Sequence, residues 1–526
     1  MHKQPTHRQD STAVTEGWET EHSLRALGDF FYRDAEPTAV RNPQWIAFNQ
    51  SLAEQLNIPE KIRDTDEGLF IWAGNHTPDW AKPAALAYSG HQFAHLNPQL
   101  GDGRALLLAE VRSADGKLFD LQLKGAGRTP FSRGGDGRSA IGPVMREYLL
   151  SESMQALGVP TTRALAAVAS GEMVFREDAV PGAIFTRVAS SHIRVGSFQF
   201  ALLHGGEDKV KALADYTIAR HFSHLAKIDD SKTRYLGLLT QVAERQAELV
   251  NQWLRIGFIH GVMNTDNTSI CGETIDYGPA AFLDSYNPNK VFSSIDRRGR
   301  YAFNQQIEIA KWNLARFAET LLPLITGDTA GETDKAEAIE LATRVLDDYS
   351  EYANELWLTT MGAKLGIQHV TKADLALINQ FLALLHQYNI DYTQAFWQLA
   401  NELNCTQSAN SGPESPTSSL FLNASAAANS DFQLWRQSWL ERLISNDTSA
   451  EQMQTNMQQV NPAIIPRNHR IAEAILAVEE NGDLTQFNAL LNAWQHPYEM
   501  PRSESELALY QGPAKGEEVT RTFCGT

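Results

Sequence analysis

Cysteine is nearly absent from this chain: Cys271, Cys405 and Cys524 are the only three in 526 residues, and no C-x-x-C pair occurs. That excludes a disulfide framework and a cysteine-built zinc site. Long apolar runs are missing as well. No stretch approaches the roughly 18 consecutive apolar residues of a membrane-spanning helix, and the polar segment Met1–Glu21 lacks the apolar core of a secretory signal. Basic charge is in deficit, with 45 Lys and Arg against 63 Asp and Glu, a formal charge of −18. A general nucleic-acid binder normally shows the opposite balance. The expectation is a protein of a reducing compartment, cytoplasmic, with neither membrane nor nucleic acid as partner. What is present suits an enzyme: 43% hydrophobic and 21% charged residues, in a chain long enough to bury a large core without covalent staples.

The first hundred residues mix short helical patterns with proline and glycine breaks. From Arg104 the texture changes. Ala105–Val111 is a short apolar run and Asp115-Gly116 is a hairpin turn signal. In Leu118–Lys124, Phe119, Leu121 and Leu123 share one face while Asp120, Gln122 and Lys124 share the other. Two such runs joined at Asp-Gly predict an antiparallel hairpin. A loop rich in glycine and arginine, Gly125–Gly142, leads to Pro143, and Val144–Leu157 predicts a helix closed by Gly158. Ala164–Glu172 and Met173–Val188 predict two further strands, the second interrupted at Pro181-Gly182.

Beyond about residue 198 helical spacing dominates, in Tyr235–Ile256, Lys335–Leu365 and Lys372–Leu403. Thr406–Ser430, rich in Ser, Asn, Ala, Gly and Pro, predicts a flexible linker, and helical patterns resume to about His496. There is no internal repeat. A sheet-rich segment followed by a helix-rich one predicts an α+β chain with two lobes around a cleft. Its expected parts are an N-terminal extension (1–100), a sheet lobe (101–197), a helical lobe (198–405), the linker (406–430) and a C-terminal helical extension with a tail (431–526).

Three groups of residues could carry chemistry. From Lys124 to Arg138 there are four basic residues and one acidic, a local +3 in a chain of −18. Glycines there let successive N–H groups face one anion, and arginine forks bind phosphate oxygens in pairs. Gly101-Asp102-Gly103-Arg104 offers a second small turn ending in arginine. Neither matches the P-loop pattern. The second group is Lys124, ending a strand, with Glu147 on the following helix; a strand lysine held by a helix glutamate is protein-kinase logic. The third is His260-Gly-Val-Met-Asn-Thr-Asp266-Asn267 followed by Asp276-Tyr-Gly. Kinases place an Asn seven residues after the catalytic-loop His and follow it with D-F-G, both holding metal; Asn267 lies seven after His260 and Asp276 nine further on. The kinase catalytic Asp is replaced by Val262, and Asp266 is the nearest substitute.

Together these segments resemble the selenoprotein O family, also called the YdiU or protein nucleotidyltransferase family. The similarity covers most of the chain and is most specific in Gly101–Arg104, Leu121–Gly142 and His260–Asp284. The resemblance implies a protein-kinase-like two-lobed fold that binds ATP reversed relative to ordinary kinases. It implies transfer of AMP from ATP to hydroxyl side chains of protein substrates, with self-modification and UMP transfer from UTP as further expectations.

Residue by residue, the resemblance puts Lys124, ion-paired with Glu147, on the phosphates. It puts Gly101, Gly103, Arg104, Asp136, Gly137, Arg187, Arg194 and Asp276 at nucleotide-binding positions. Asp266 becomes the proton acceptor, and Asn267 and Asp276 the ligands of Mg²⁺ or, in its place, Mn²⁺. Many relatives carry selenocysteine or cysteine near the C-terminus, where this chain has Cys524. The cysteine that some relatives are proposed to pair with it is missing, because Asn287–Tyr301 contains none. Two other readings stay open on the residues alone: a conventional kinase, and a nucleotide-binding scaffold without activity, which Val262 would suit.

Overall fold

The computed structural model describes residues 18–327, 331–405, 424–499, 512–513 and 518–522. Cys524 and most of the expected linker lie outside the described residues. The fold is mixed α/β, with a large antiparallel sheet and many helices. Its strands in chain order are β1 (Thr20–Glu21), β2 (Tyr32–Asp34), β3 (Gln44–Phe48), β4 (Ala84–Leu86), β5 (Gly90–Gln92), β6 (His95–Asn97), β7 (Ala105–Arg112), β8 (Leu118–Lys124), β9 (Ser139–Ala140), β10 (Arg163–Phe175), β11 (Ala179–Ala189), β12 (Phe258–Ile259) and β13 (Ala281–Phe282). Nine of them form one sheet in the order β2-β4-β7-β8-β11-β10-β3, with β1 joined to β7 and β9 to β11. Strands from the stretch expected as an N-terminal extension are thus hydrogen-bonded into the sheet itself.

The hairpin β7–β8 forms as the Asp-Gly signal requires, with Ala105 opposite Lys124, Arg112 opposite Leu118, and Gly116 at φ 81° in the turn. The next hairpin differs from expectation. The chain does not turn at Glu172–Met173; it bulges there, with Gly171 at φ 68°, and β10 continues to Phe175. Pro181 sits inside β11 opposite Met173, next to that irregularity, where a missing N–H costs the ladder least.

The helices are α1 (Gln50–Gln55), α2 (Asp66–Trp72), α3 (Ile141–Ala156), α4 (Val195–His221, kinked at Gly206), α5 (Ser231–Ile256), α6 (Gln306–Thr326), α7 (Glu332–Lys364), α8 (Leu375–Gln387), α9 (Tyr392–Cys405), α10 (Ala426–Leu443), α11 (Ala450–Val460), α12 (Asn468–Asn481) and α13 (Thr485–Trp494). The single helical run expected over Lys372–Leu403 is two helices. Asn389 takes φ 52° between them, and the Asp391 carboxylate accepts the Gln394 N–H at 2.8 Å, capping α9. The expected linker also ends early: Ser425 accepts from the Ala428 N–H at 3.0 Å and starts α10. Among the described residues no helix is long and apolar enough to cross a membrane.

Period-two alternation in the sheet builds two cores. Leu121, Leu123, Ile184 and Val188 pack under α2 with Trp72, whereas Ala183 and Phe185 face the other way, against Met145 and Leu149 of α3. Helices α4 to α7 extend the second core away from the sheet. Trp72 is fully buried and its Nε1–H donates to the Ile62 carbonyl at 2.7 Å. Trp72→Ala should therefore lower unfolding free energy by about 3–5 kcal/mol in urea denaturation; a loss below about 1 kcal/mol would contradict this packing.

Candidate functional site

The polar face of β8 is not solvated. Asp120 and Gln122 are buried, and Lys124 is largely covered. Each is matched across the core by a partner from another element. Asp120 meets Arg220 of α4 at 2.6 Å and His192 at 2.9 Å. Gln122 accepts from both Nε (3.2 Å) and Nη2 (2.7 Å) of Arg187 on β11. Lys124 Nζ lies 2.5 Å from Glu147 of α3 and 2.6 Å from Asp276. A strand whose alternation looked like a surface pattern instead points its polar side into a cleft.

That cleft encloses about 830 Å³, and all twelve residues singled out from the sequence line it: Gly101, Gly103, Arg104, Lys124, Asp136, Gly137, Glu147, Arg187, Arg194, Asp266, Asn267 and Asp276. Eight cationic and five anionic side chains line its wall, a surplus of three positive charges in a chain of −18. Asp276 is at the centre of this charge. Besides Lys124 it receives Arg187 at 2.7 Å on Oδ1 and Arg194 at 3.5 Å on Oδ2. Burial alone would raise its carboxyl, but the three cations outweigh that and hold it well below the usual carboxylate range. Asp276 also sits at φ 61°, a left-handed conformation that Asp tolerates better than most residues. His260 fixes the approach to it, donating from Nε2 to the Ile275 carbonyl at 2.8 Å.

Asp266 occupies a different environment. It lies on a short turn, Thr265–Asn267, behind the buried Val262. Its Oδ1 is buried and has no hydrogen-bond partner among the described residues. Gly90 of β5 faces that oxygen so closely that a Cβ there would come within 2.4 Å. Gln92 approaches Oδ2 at 3.5 Å. Burial pushes the Asp266 carboxyl up to about 6, against the pull of Arg194, which also donates to the Asp266 carbonyl at 2.8 Å. The β5–β6 hairpin is held over this turn by His91 N–H to Thr265 Oγ1 (2.6 Å) and Phe93 N–H to Asn264 Oδ1 (3.1 Å).

The glycine-rich loop is built by close backbone contact. Gly127 N–H donates to the Gly137 carbonyl at 3.1 Å, and a Cβ on Gly137 (φ 69°) would lie 2.0 Å from the Gly127 oxygen. A Cβ on Gly101 would meet the Phe131 ring at 2.3 Å. Asp136 is gripped by Arg176 at 2.9 and 3.2 Å. Arg138, counted in the local charge, donates instead to the Thr38 and Ala39 carbonyls at 2.9 and 3.1 Å and so clamps the loop to the N-terminal segment. Sequence reading missed Tyr88, Gly90, Gln92 and Arg176, and gave Asp102 and Gln122 no role of their own. Tyr88, Gly90 and Gln92 lie on or beside a short strand with no motif spacing.

Asn267 and Asp276 offer oxygen donors only, and no group of three or more His, Cys, Asp or Glu among the described residues could hold a metal. Asn267 uses its amide nitrogen on the Val262 carbonyl at 3.0 Å, which orients the side chain. One amide oxygen and one ionised carboxylate suit a magnesium ion that takes its remaining ligands from water and phosphate. The donor set fits that group.

Arg187 ties Gln122, Glu147 and Asp276 together from a fully buried position. Removing it leaves Glu147 and Asp276 to share Lys124 and takes both donors from the buried Gln122 oxygen, so Arg187→Met should cost about 3–5 kcal/mol in urea unfolding, with Arg187→Lys intermediate. A loss below about 1 kcal/mol would mean that the ion cluster does not bear on stability.

Comparison with known proteins places this architecture. The family model described as protein adenylyltransferase SelO matches residues 16–495. The chain is 48% identical over 507 residues to a protein nucleotidyltransferase YdiU of Rhizobium leguminosarum bv. trifolii, covering 96% of this chain and 97% of that protein. Proteins of the same name from Syntrophotalea carbinolica (45% over 517 residues, 98% and 99%) and Bacillus cytotoxicus (46% over 510 residues, 97% and 98%) are similarly related. With a match of this length across both sheet and helices, the chain belongs to the protein adenylyltransferase SelO family.

Proposed function

We propose that this protein transfers AMP from ATP to Ser, Thr or Tyr hydroxyls of proteins and releases pyrophosphate. The observation that carries the reading is the pairing, in one cleft, of a cationic cluster around Asp276 with a buried carboxylate, Asp266, whose Oδ1 has no described partner. Lys124, Arg187 and Arg194 are the groups that meet phosphate oxygens, Glu147 orients Lys124, and Gly101, Gly103, Arg104, Asp136 and Gly137 shape the remaining nucleotide wall. Asn267 and Asp276 would hold a divalent ion, magnesium or manganese, which when bound would neutralise phosphate charge. The division into a sheet lobe (101–197), whose sheet also takes in strands β1 to β4 from the first hundred residues, and a helical lobe (198–405) follows protein-kinase logic, supported by the strand lysine and helix glutamate at 2.5 Å. The near-absence of cysteine supports action in the cytoplasm.

The terminal phosphates of ATP are the most charged part of the substrate and belong with the buried arginines. The α-phosphorus is then the one left near Asp266. The hydroxyl oxygen of the acceptor attacks it, the bond to the β-phosphate oxygen breaks, and pyrophosphate leaves. Asp266 takes the hydroxyl proton, in place of the base lost at Val262.

Incubation with α-labelled ATP should label the protein itself or an added protein substrate, and γ-labelled ATP should label neither. Asp266→Asn should reduce α-label transfer about a thousandfold while leaving the unfolding midpoint close to that of the parent. Asp276→Ala should reduce transfer at least as much and also lower the midpoint, because Lys124, Arg187 and Arg194 lose their shared carboxylate. Label from the γ position alone would make the protein an ordinary kinase, and label from neither would leave a scaffold.

A further inference from the structure

Beside the cleft mouth lies a surface that the nucleotide chemistry does not use. The run Asp296-Arg297-Arg298-Gly299-Arg300 places three arginines in five residues. Its one acidic member is turned inward: the buried Asp296 carboxylate accepts the N–H groups of Arg300 and Tyr301 at 3.0 and 2.8 Å. Arg297 and Arg298 are exposed, and neither forms an ion pair with a described residue. Arg300 and Arg316 lie over Trp312 at 4.8 and 5.0 Å, and Arg316 pairs with Glu319.

The loop is fixed at both ends. Ser293 and Ser294 pair with the backbone of Thr522, and Tyr301 donates to Asn264 Oδ1 at 2.6 Å, two residues before Asp266. Tyr301 also packs against Phe93 at 5.0 Å, at the tip of the hairpin that covers Asp266. Ile295, 59% exposed, begins the run and lines the same cleft as Asp266. A rigid basic rim with one exposed apolar residue therefore leads from solvent to the unpartnered carboxylate.

We propose that this rim docks an acidic segment of the protein substrate, with an apolar side chain against Ile295, and so delivers the nearby hydroxyl to Asp266. The proposal rests on the adenylyl-transfer reading and adds to it the substrate class. Charge complementarity of this kind selects partners and speeds encounter. A peptide suits the rim better than a nucleic acid. The basic stretch is short, and a long polyanion would continue onto a chain of −18.

The test uses dye-labelled synthetic peptides with one Ser and one Leu, flanked either by Asp and Glu or by neutral residues, and the variant Arg297→Glu/Arg298→Glu. At about 0.15 M salt, fluorescence anisotropy should show the acidic peptide binding about tenfold more tightly than the neutral one, and the variant should abolish that preference. ATP affinity, read by calorimetry, should not change in the variant. In α-label transfer to the acidic peptide, KM should rise about tenfold with kcat nearly constant. Equal binding of the two peptides, or equal loss of both in the variant, would overturn the docking surface. So would tighter binding of poly(U) through the same arginines. Peptide binding is read without transfer, so a retained acidic preference with no label in any peptide would count against the transfer reading alone.

Discussion

Asp276 must carry a negative charge in a place where burial opposes one, and the surrounding fold is arranged to make that possible. Three cations surround it: Lys124 from β8, Arg187 from β11, and Arg194 at the start of α4. Each arrives on a different element, so the sheet register and the position of α4 are both needed to assemble the cluster. Glu147 of α3 balances the excess by pairing with Lys124 and Arg187. Gln122 takes the far side of Arg187, and Asp102 receives Gln122 at 3.0 Å. A buried ionic group is tolerated only when its partners are complete, and here the completeness crosses four elements.

The same constraint explains why Asp266 can behave differently ten residues away. Arg194 donates to its backbone carbonyl, not to its carboxylate, so the side chain sees burial with little compensation. Two carboxylates in one cleft are thus driven in opposite directions, one held ionised and one raised to about 6. Environments that separate acid from base in this way are how one site runs proton transfer beside charge stabilisation. The hairpin β5–β6 supplies the burial, and Gly90 leaves room for the carboxylate oxygen.

Local signals carried much of this into the sequence. Asp115-Gly116 marked the β7–β8 turn, and alternation marked the two faces of β8. What alternation could not tell is that the polar face is buried: the partners Arg187, Arg220 and His192 lie 65 to 100 residues away and no short-range pattern names them. Spacing alone aligned His260, Asn267 and Asp276, whereas Arg187 and Arg194 entered only through the family resemblance. The first hundred residues were opaque because short strands paired at long range have little periodicity. Gly90 and Gln92, which bear on Asp266, lie there. Pro181 misled in the other direction, since a bulge at Gly171 lets a strand keep a proline that local rules read as a break.

The central claim is that Lys124 and Glu147 act on nucleotide as members of one charged unit. Its most direct test is a double-mutant cycle on ATP affinity in the presence of magnesium, measured by calorimetry on Lys124→Met, Glu147→Gln and the double variant. If the unit is real, each single change weakens binding by about tenfold and the double variant is little worse than either. Losses that multiply to about a hundredfold in the double variant would mean that the two residues act independently, and would contradict the account.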